Sequence, residues 1–223
     1  MSSKWSMPGA GNRVVNGYGA TCACEPVSRR CSSDLPAFGG PSSNGFSMPS
    51  HYGHKRLRIV AQSSPTGTQY LQAVGTAMGA RWDRTDEVVY VSSGEGATSE
   101  GEFHEALNWA ARGRFPVVFL IQNNKFAISV TKREQTAAKS VYGLMSGYEG
   151  LNRYEIDGCD FIASYETAVE AAARARAGEG PSLILAHTVR LLPHSSSCAF
   201  QASPSVPAVT RRARCSWNRS TRR

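Results

Sequence analysis

The clearest pattern along the chain is a pair of short, almost unbroken apolar runs, EVVYVSS at 87–93 and FPVVFLIQ at 115–122. Both are rich in valine and have the length of a strand. Strands buried on both faces of a parallel sheet carry apolar residues continuously, whereas half-exposed strands alternate. The two runs therefore predict buried parallel strands, and SLILAH at 182–187 predicts a third.

A helix is predicted in residues 63–82, before the first of these strands. Serines and Pro65 open the segment, as is common at a helix N-terminus. Apolar residues then recur at helical spacing: Tyr70, Leu71, Val74, Ala77 and Met78. Three small residues would permit close packing against a neighbour: Ala73, Gly75 and Gly79.

Two more helices are predicted between the strands. In 99–113, Ser99 and Glu102 have the spacing of a capping box, and one face is apolar, formed by Phe103, Ala106, Leu107 and Ala110. The alanine-rich residues 164–178 end on Gly178, a common helix terminator. This alternation predicts an α/β fold with a doubly wound, mostly parallel sheet and right-handed crossovers.

The two ends of the chain lack such patterns. Residues 1–45 are rich in Gly, Ser, Pro and Cys, and residues 198–223 in Ser, Arg and Pro. We expect both to be irregular, either disordered or translated out of frame, around one incomplete domain at 46–197. We expect neither a bilayer span nor a secretory signal, because no apolar run has bilayer length and the first 30 residues lack the apolar stretch of a signal; the start also has too few arginines to favour a transit peptide. These features predict a soluble intracellular protein.

The net charge of +8 is concentrated in the ends of the chain. Residues 198–223 contain six arginines and no acidic residue, whereas residues 51–197 carry equal numbers of acidic and basic residues. A nucleic-acid groove needs its basic residues on the folded domain. We therefore expect no nucleic acid as a partner, and the lack of a bilayer-length apolar run predicts no membrane partner either.

The cysteines and histidines do not predict a zinc site. The six cysteines form no paired CxxC spacing, which favours free thiols in a reducing compartment. His51 and His54 have the spacing of helical metal ligands, but Pro49 and Gly53 predict a loop there.

Candidate chemistry lies where two predicted strands end, at Gly94-Glu95-Gly96 and at Asn123-Asn124. Ligands of parallel sheets bind at this edge, so the two groups should converge. The glycines permit close approach of backbone to ligand, and free N–H groups near Ala97 and Thr98 favour an anion. A carboxylate beside a phosphate needs a cation between them. The oxygen ligands available here are the Glu95 carboxylate, the Asn124 amide and a main-chain carbonyl, and this set suits magnesium. Each turn alone is a common structural feature; their combination favours function.

The stretch GEGATSEGEFHEALNWAARGRFPVVFLIQNNKFAIS, at 94–129, resembles the thiamine-diphosphate motif. Its form is that of alpha subunits in the dehydrogenase component of 2-oxo acid dehydrogenase complexes, of the 2-oxoisovalerate or pyruvate type. The acidic residue is Glu95 rather than the commoner Asp, which is similar to the branched-chain enzymes. The resemblance implies that Glu95, Asn124 and the Phe126 carbonyl hold Mg²⁺, and that the backbones of Gly96 and Ala97 meet the diphosphate.

Two other stretches extend the resemblance to about residues 46–197. The first is residues 48–75, MPSHYGHKRLRIVAQSSPTGTQYLQAVG. Here the resemblance implies a potassium site formed by Ser63, Pro65, Thr68 and Gln69. It also implies that Ser64 and Thr66 lie near the aminopyrimidine of the cofactor. In LLPHSSS, at 191–197, it implies that His194 faces the substrate and that Ser195 matches the residue phosphorylated in mitochondrial relatives.

The sequence also departs from the family pattern. No Tyr-Arg element that would grip the phosphates precedes the domain, and Gln122 stands where branched-chain relatives have Arg. Beyond Ser197 the expected acidic pair is missing. These departures motivate the hypothesis that both ends are out of frame or that the gene is truncated.

The resemblance implies oxidative decarboxylation of a 2-oxo acid, with the acyl group passing to a lipoyl-bearing transacylase. It implies a beta subunit in a heterotetramer, an inactive isolated chain, and a location in the bacterial cytoplasm or the mitochondrial matrix. Three alternatives remain: a transketolase-like or acetoin-cleaving thiamine enzyme, a non-catalytic remnant that docks on a beta subunit, and a generic nucleotide-binding domain. The last is disfavoured because no dinucleotide or P-loop glycine pattern occurs.

Overall fold

The computed structural model describes the backbone of residues 13–16, and residues 51, 58–61 and 64–190. Seven strands occur in these parts of the chain: β1 (Arg13–Asn16), β2 (Val89–Gly94), β3 (Val117–Asn123), β4 (Phe126–Ala127), β5 (Val130–Thr131), β6 (Asn152–Asp157) and β7 (Ser182–His187). Five of them form a sheet ordered β1-β2-β3-β7-β6, in which every neighbouring pair is parallel. β4 and β5 form a separate antiparallel pair.

The same parts of the chain contain five α-helices and two short 3₁₀ turns. The helices are α1 (Thr68–Trp82), α2 (Gly101–Gly113), α3 (Lys132–Gln135), α4 (Val141–Leu144) and α5 (Phe161–Arg176). The 3₁₀ turns are Glu95–Ser99, which joins β2 to α2, and Met145–Gly147. None of the described helices combines the length and the apolar character needed to cross a bilayer.

Helices cover both faces of the parallel sheet. On one face, α1 and α2 pack on the sheet through a core that includes Tyr70, Phe103 and Phe119, with the first two rings 4.9 Å apart. On the other face, Ala171 and Ala175 of α5 pack in a smaller cluster with residues from β3 and β7. Alternate strand residues thus face opposite helix layers, which explains the continuous apolar runs. The prediction of a doubly wound α/β fold is confirmed.

The three predicted strands and three long predicted helices are all present. The run at 182–187 coincides with β7, and residues 164–178 lie largely within α5, which begins at Phe161 because the Asp160 carboxylate caps the amides of Ile162 and Ala163. The strand β6 was not predicted. Its sequence, NRYEID, is largely polar and its residues are only partly buried, so it lacks an apolar signal.

β1 corrects the expectation of an irregular start for residues 13–16. This strand pairs with β2 from Arg13 opposite Val89 to Asn16 opposite Ser92. Its four residues contain only two consecutive valines, too short a run to predict a strand. The other proposed boundaries of the domain stay predictions.

Two details of the predicted helices were wrong. Ser99 and Glu102 form no capping box, because the N-cap position of α2 is occupied by Glu100, with no side-chain cap. The Ser99 hydroxyl instead accepts a hydrogen bond from Gln135 at 2.9 Å. Within the described residues, Gly75 and Gly79 do not mediate close packing, since both are exposed and a Cβ added at either meets no described atom within 4 Å. Met78 is likewise 43% exposed, whereas Ala73 is buried in the core.

The N-termini of α1 and α2 lie together at the edge of the sheet where β2 and β3 end. Gly67, which precedes α1 and has a φ of +98°, packs so closely that an added Cβ would lie 2.8 Å from the Cβ of Glu100. The turn that precedes α1 and the turn that follows β2 are therefore neighbours at one edge.

Candidate functional site

The ends of β2 and β3 bring the predicted site residues together. Gly94, the last residue of β2, is paired with Gln122, and β3 ends one residue later at Asn123. Glu95 opens the 3₁₀ turn with only 2% of its surface exposed. A carboxylate so deeply buried requires a specific partner.

The two carboxylate oxygens of Glu95 have different surroundings. Oε2 accepts a hydrogen bond from the backbone N–H of Asn124 at 3.2 Å, whereas Oε1 is buried and has no hydrogen-bond partner among the described residues. Burial raises the pKa of Glu95, although backbone N–H groups, including those of Asn124 and Phe126, and the charge of Arg190 act in the opposite direction. The carboxylate thus retains an open acceptor for a cation.

The asparagine turn is shaped by its own side chains. The Oδ1 of Asn123 accepts from the N–H of Lys125 at 3.1 Å, and the Oδ1 of Asn124 accepts from the N–H of Phe126 at 3.0 Å. These bonds accompany a left-handed backbone at Lys125, with φ of +71°, and at Ile128, with φ of +54°. The predicted magnesium ligands Glu95, Asn124 and Phe126 therefore belong to one hydrogen-bonded unit.

Gly96 lies against the strand pair that follows the asparagines. A Cβ at this position would lie 2.8 Å from the Cβ of Ala127, which is closer than real Cβ contacts allow. Ala97 and Thr98 are buried beside it, and the Thr98 hydroxyl donates to the Glu95 carbonyl at 2.7 Å. The glycine is thus required for packing of the turn itself.

Arg190 brings a positive charge to the same group of residues. Its guanidinium donates to the Ile128 carbonyl at 2.7 Å and lies 4.9 Å from the centre of the Phe126 ring. Burial lowers the pKa of Arg190, while the negative charge of Glu95 acts to raise it. Sequence reasoning missed this residue, since nothing in the spacing linked it to the asparagine turn.

Three further side chains at this edge were missed by the sequence. Gln135 reaches the turn after β2 from α3, 39 and 40 residues away in sequence. His187 lies 3.4 Å from the Asn123 amide through Nδ1 and 2.8 Å from the Glu155 carboxylate through Nε2. The register of β3, β6 and β7 brings His187 close to Asn123 and Glu155, whereas Gln135 comes from α3, so no local motif could have revealed these contacts.

Part of the predicted potassium site is described. The Thr68 hydroxyl donates to the Pro65 carbonyl at 3.1 Å, and the Gln69 side-chain carbonyl accepts from the N–H of Gly67 at 3.0 Å. Gln69 is buried, whereas the two residues expected near the aminopyrimidine, Ser64 and Thr66, are exposed. Ser63, the remaining predicted ligand, lies outside the described residues.

The predicted active-site loop also falls outside the described residues, including His194 and Ser195. His51 is described, and its Nε2 lies 2.8 Å from the Ser64 hydroxyl; His54 is not described. Within the described ranges, no cluster of three or more His, Cys, Asp or Glu side chains could hold a metal. The candidate magnesium set is of another kind, because it combines one carboxylate with an amide and a main-chain carbonyl.

Solved structures of low sequence identity share the fold. Transketolase from Campylobacter jejuni has a TM-score of 0.56 at 23% identity, covering 80% of this chain and 29% of its own. Transketolase from Leishmania mexicana has a TM-score of 0.57 at 19% identity, covering 94% of this chain and 38% of its own. These similarities establish the architecture alone.

Curated relatives are more similar in sequence. The 2-oxoisovalerate dehydrogenase subunit alpha of Bacillus subtilis is 44% identical over 156 residues, which is 70% of this chain and 47% of the relative. The 3-methyl-2-oxobutanoate dehydrogenase subunit alpha of Mycobacterium tuberculosis is 51% identical over 135 residues, 60% of this chain and 36% of the relative. This chain thus spans less than half the length of these relatives.

The sequence model of the family described as "Dehydrogenase E1 component" matches residues 16–202. The match takes in β1's last residue and every other described element, and it extends beyond both ends of the predicted domain at 46–197. The chain therefore belongs to the dehydrogenase E1 component family.

Proposed function

We propose that this chain acts as the alpha subunit of a branched-chain 2-oxo acid dehydrogenase, with thiamine diphosphate and Mg²⁺ as cofactors. The single observation that carries the proposal is the buried Glu95 Oε1, which lacks a hydrogen-bond partner in the described parts of the chain. It stands at a glycine-flanked turn beside Asn124, where the Mg²⁺ ion of a metal-bound diphosphate would supply the missing positive charge. Named alpha-subunit relatives at 44–51% identity support the assignment.

The residues present fit a magnesium–diphosphate group. Glu95 offers one free carboxylate oxygen, and Asn124 and Phe126 offer an amide and a main-chain carbonyl from the adjoining turn. Hard oxygen donors of this type are the ligands that Mg²⁺ prefers. Gly96 and Ala97 would bring their backbones to the diphosphate, and Ser64 and Thr66 would lie near the aminopyrimidine. Pro65, Thr68 and Gln69, with Ser63, would hold a structural K⁺.

When bound, the cofactor supplies the nucleophilic carbon and the electron sink needed to release carbon dioxide from a 2-oxo acid. The protein's residues bind and orient it. Glu95 is buried and would hold the metal, and the positive charge of Arg190, which lies beside Phe126, offsets the negative charge of Glu95. His194 would face the substrate, and the acyl group would pass to the lipoyl arm of a transacylase. Location would be the cytoplasm in a bacterium or the matrix in a mitochondrion.

The test uses the full chain purified with the beta subunit of the same organism. Melting temperature is measured with and without thiamine diphosphate and Mg²⁺, and turnover is measured on 2-oxoisovalerate, pyruvate, a ketose donor and acetoin. We expect cofactor-induced stabilisation, decarboxylation of 2-oxoisovalerate by the pair, and none by the isolated chain. Stabilisation is about 2.7 kcal/mol when the ligand is a hundredfold above Kd.

Other results would point elsewhere. Turnover of the ketose or acetoin alone would favour the transketolase-like alternative. Absence of cofactor-induced stabilisation in the pair would favour a non-catalytic chain that docks on the beta subunit, and decarboxylation by the isolated chain would contradict the required partnership.

A further inference from the structure

The segment that follows the asparagines folds back over the turn after β2. Its strand pair, β4 and β5, brings Ala127 against Gly96. The helix α3 then begins directly after β5 and ends at Gln135, whose side chain reaches the same turn. The turn is therefore enclosed by residues that follow it by about 30 to 40 positions.

Gln135 contacts the turn at three oxygens through a single amide nitrogen. Its Nε2 lies 2.8 Å from the Gly96 carbonyl, 2.9 Å from the Ser99 hydroxyl and 3.3 Å from the Glu95 carbonyl. These three residues include the first, second and last residues of the 3₁₀ turn. One side chain thus ties together both ends of the segment that contains the candidate metal ligand.

The chemistry of the contact requires an amide rather than an acid. Carbonyl oxygens only accept hydrogen bonds, so the donor end of Gln135 must face Glu95 and Gly96. The Oε1 of Gln135 is buried and has no hydrogen-bond partner among the described residues. A carboxylate in its place would have no N–H to donate and would set a negative charge against two carbonyl oxygens.

The backbone of α3, which carries Gln135, is held in place by contacts that do not involve the Gln135 side chain. Thr131 and Glu134 form a capping box, in which the Glu134 carboxylate accepts from the Thr131 N–H at 3.1 Å and from its hydroxyl at 2.8 Å. The N–H of Lys132 also donates to the Lys125 carbonyl at 3.0 Å, which ties α3 to the asparagine turn. Gln135 thus reaches the turn after β2 from a fixed position.

We propose that Gln135 is a positioning residue, which holds the turn Glu95–Ser99 in the conformation that receives the metal–diphosphate group. This inference rests on the function proposed above. Gln135 touches neither cofactor nor substrate in this role; it acts through the carbonyls of Glu95 and Gly96. Replacing a residue that orients a metal ligand without contacting the metal typically lowers the affinity for the metal by about 10- to 100-fold.

The test compares the variants Gln135→Glu and Gln135→Met with the wild type in the full chain bound to its beta subunit. Thiamine diphosphate affinity is titrated at saturating Mg²⁺ by tryptophan fluorescence. We expect the Kd to rise about 10- to 100-fold in both variants, more in Gln135→Glu, while kcat at saturating cofactor stays within about twofold. If the substitution only destabilised the fold, kcat and melting temperature would fall together, and the rise in Kd at nearly constant kcat would not be seen.

The matched control is Asn108→Asp, the same amide-to-acid change at an exposed position on α2. It should leave the cofactor Kd unchanged. Hydrogen exchange of residues 95–100 in the cofactor-free protein gives a second readout, and we expect faster exchange in Gln135→Met than in the wild type or the control. Unchanged exchange, or an unchanged Kd, overturns the proposal. Failure of the wild-type pair to bind any cofactor overturns the proposed function instead, and the exchange result still decides whether Gln135 holds the turn.

Discussion

The backbone N–H of Asn124 donates to the Glu95 carboxylate at 3.2 Å, across 29 positions of sequence. This bond joins the turns that follow two neighbouring parallel strands. It uses one oxygen of a carboxylate whose other oxygen is buried without a partner in the described structure. The relationship connects the acid and the asparagines of the family motif, and it makes Glu95 the residue on which cofactor binding should depend most.

Replacing Glu95 with Gln should separate folding from cofactor binding. The change removes a buried negative charge, so the cofactor-free protein should keep its melting temperature or gain slightly. The stabilisation on adding thiamine diphosphate and Mg²⁺, about 2.7 kcal/mol at a hundredfold excess over Kd, should disappear. Thermal unfolding of both proteins with and without ligand checks this. A variant that is still stabilised by the cofactor would contradict Glu95 as a ligand.

Stability of the cofactor-free protein should fall as pH rises through the pKa of Glu95. Burial raises this pKa above its ordinary value of 4.5, so the folded state binds the proton more tightly than the unfolded state. The favourable contribution is fully present below the unfolded pKa and is lost as pH passes the folded pKa. Urea unfolding of the wild type at a series of pH values should show this loss, and Glu95→Gln should lack that part of the pH dependence.

Two glycine-to-alanine changes should have opposite effects. Gly96→Ala places a Cβ 2.8 Å from that of Ala127 and should destabilise the protein by about 1–3 kcal/mol. Gly75 lies on the exposed face of α1, where an added Cβ meets none of the described atoms within 4 Å, so Gly75→Ala should stabilise by about 0.5–1 kcal/mol. Denaturant titrations give both values. Equal effects at the two positions would mean that the turn does not pack against Ala127.

Asn124→Ala should damage the asparagine turn and the metal site together. The Phe126 N–H would lose its acceptor, the Oδ1 of Asn124, and leaving such a group unpaired costs about 1–3 kcal/mol. Affinity for Mg²⁺ and thiamine diphosphate should fall as well, because the amide oxygen is also a proposed ligand. Exposed Asn108→Ala is the control, with no expected change in affinity. Normal cofactor affinity in Asn124→Ala would exclude that role.

Tyr70→Phe should weaken the fold without removing any proposed ligand. The Tyr70 hydroxyl is hydrogen-bonded to that of Ser93, next to the turn that carries Glu95, and burial raises the pKa of Tyr70 well above its usual range. Loss of this bond should cost about 1 kcal/mol, measured by denaturant unfolding. Kd for the cofactor, measured in parallel, should change much less than in Glu95→Gln. A stability equal to that of the wild type would show that this bond contributes nothing net.

Local sequence determined the elements with a strong repeating pattern. The continuous apolar runs of β2, β3 and β7 predicted buried parallel strands because their residues face helices on both sides of the sheet. The spacing of Phe103 and Leu107 predicted the buried face of α2 for the same reason. The glycine-flanked Glu95 and the asparagine pair were also readable, since the edge of a parallel sheet brings successive strand ends together.

Only the tertiary structure decided which other side chains meet at that edge. β1 and β6 had no strong local pattern, because one is very short and the other is partly exposed and polar. The contact of Gln135 with Gly96 depends on a chain reversal through β4, β5 and α3. Likewise, His187 meets Asn123 and Glu155 only through the register of three strands. The hydrophobic periodicity of a segment indicates which of its own residues face the core. Contacts between distant segments depend instead on how the whole sheet is assembled.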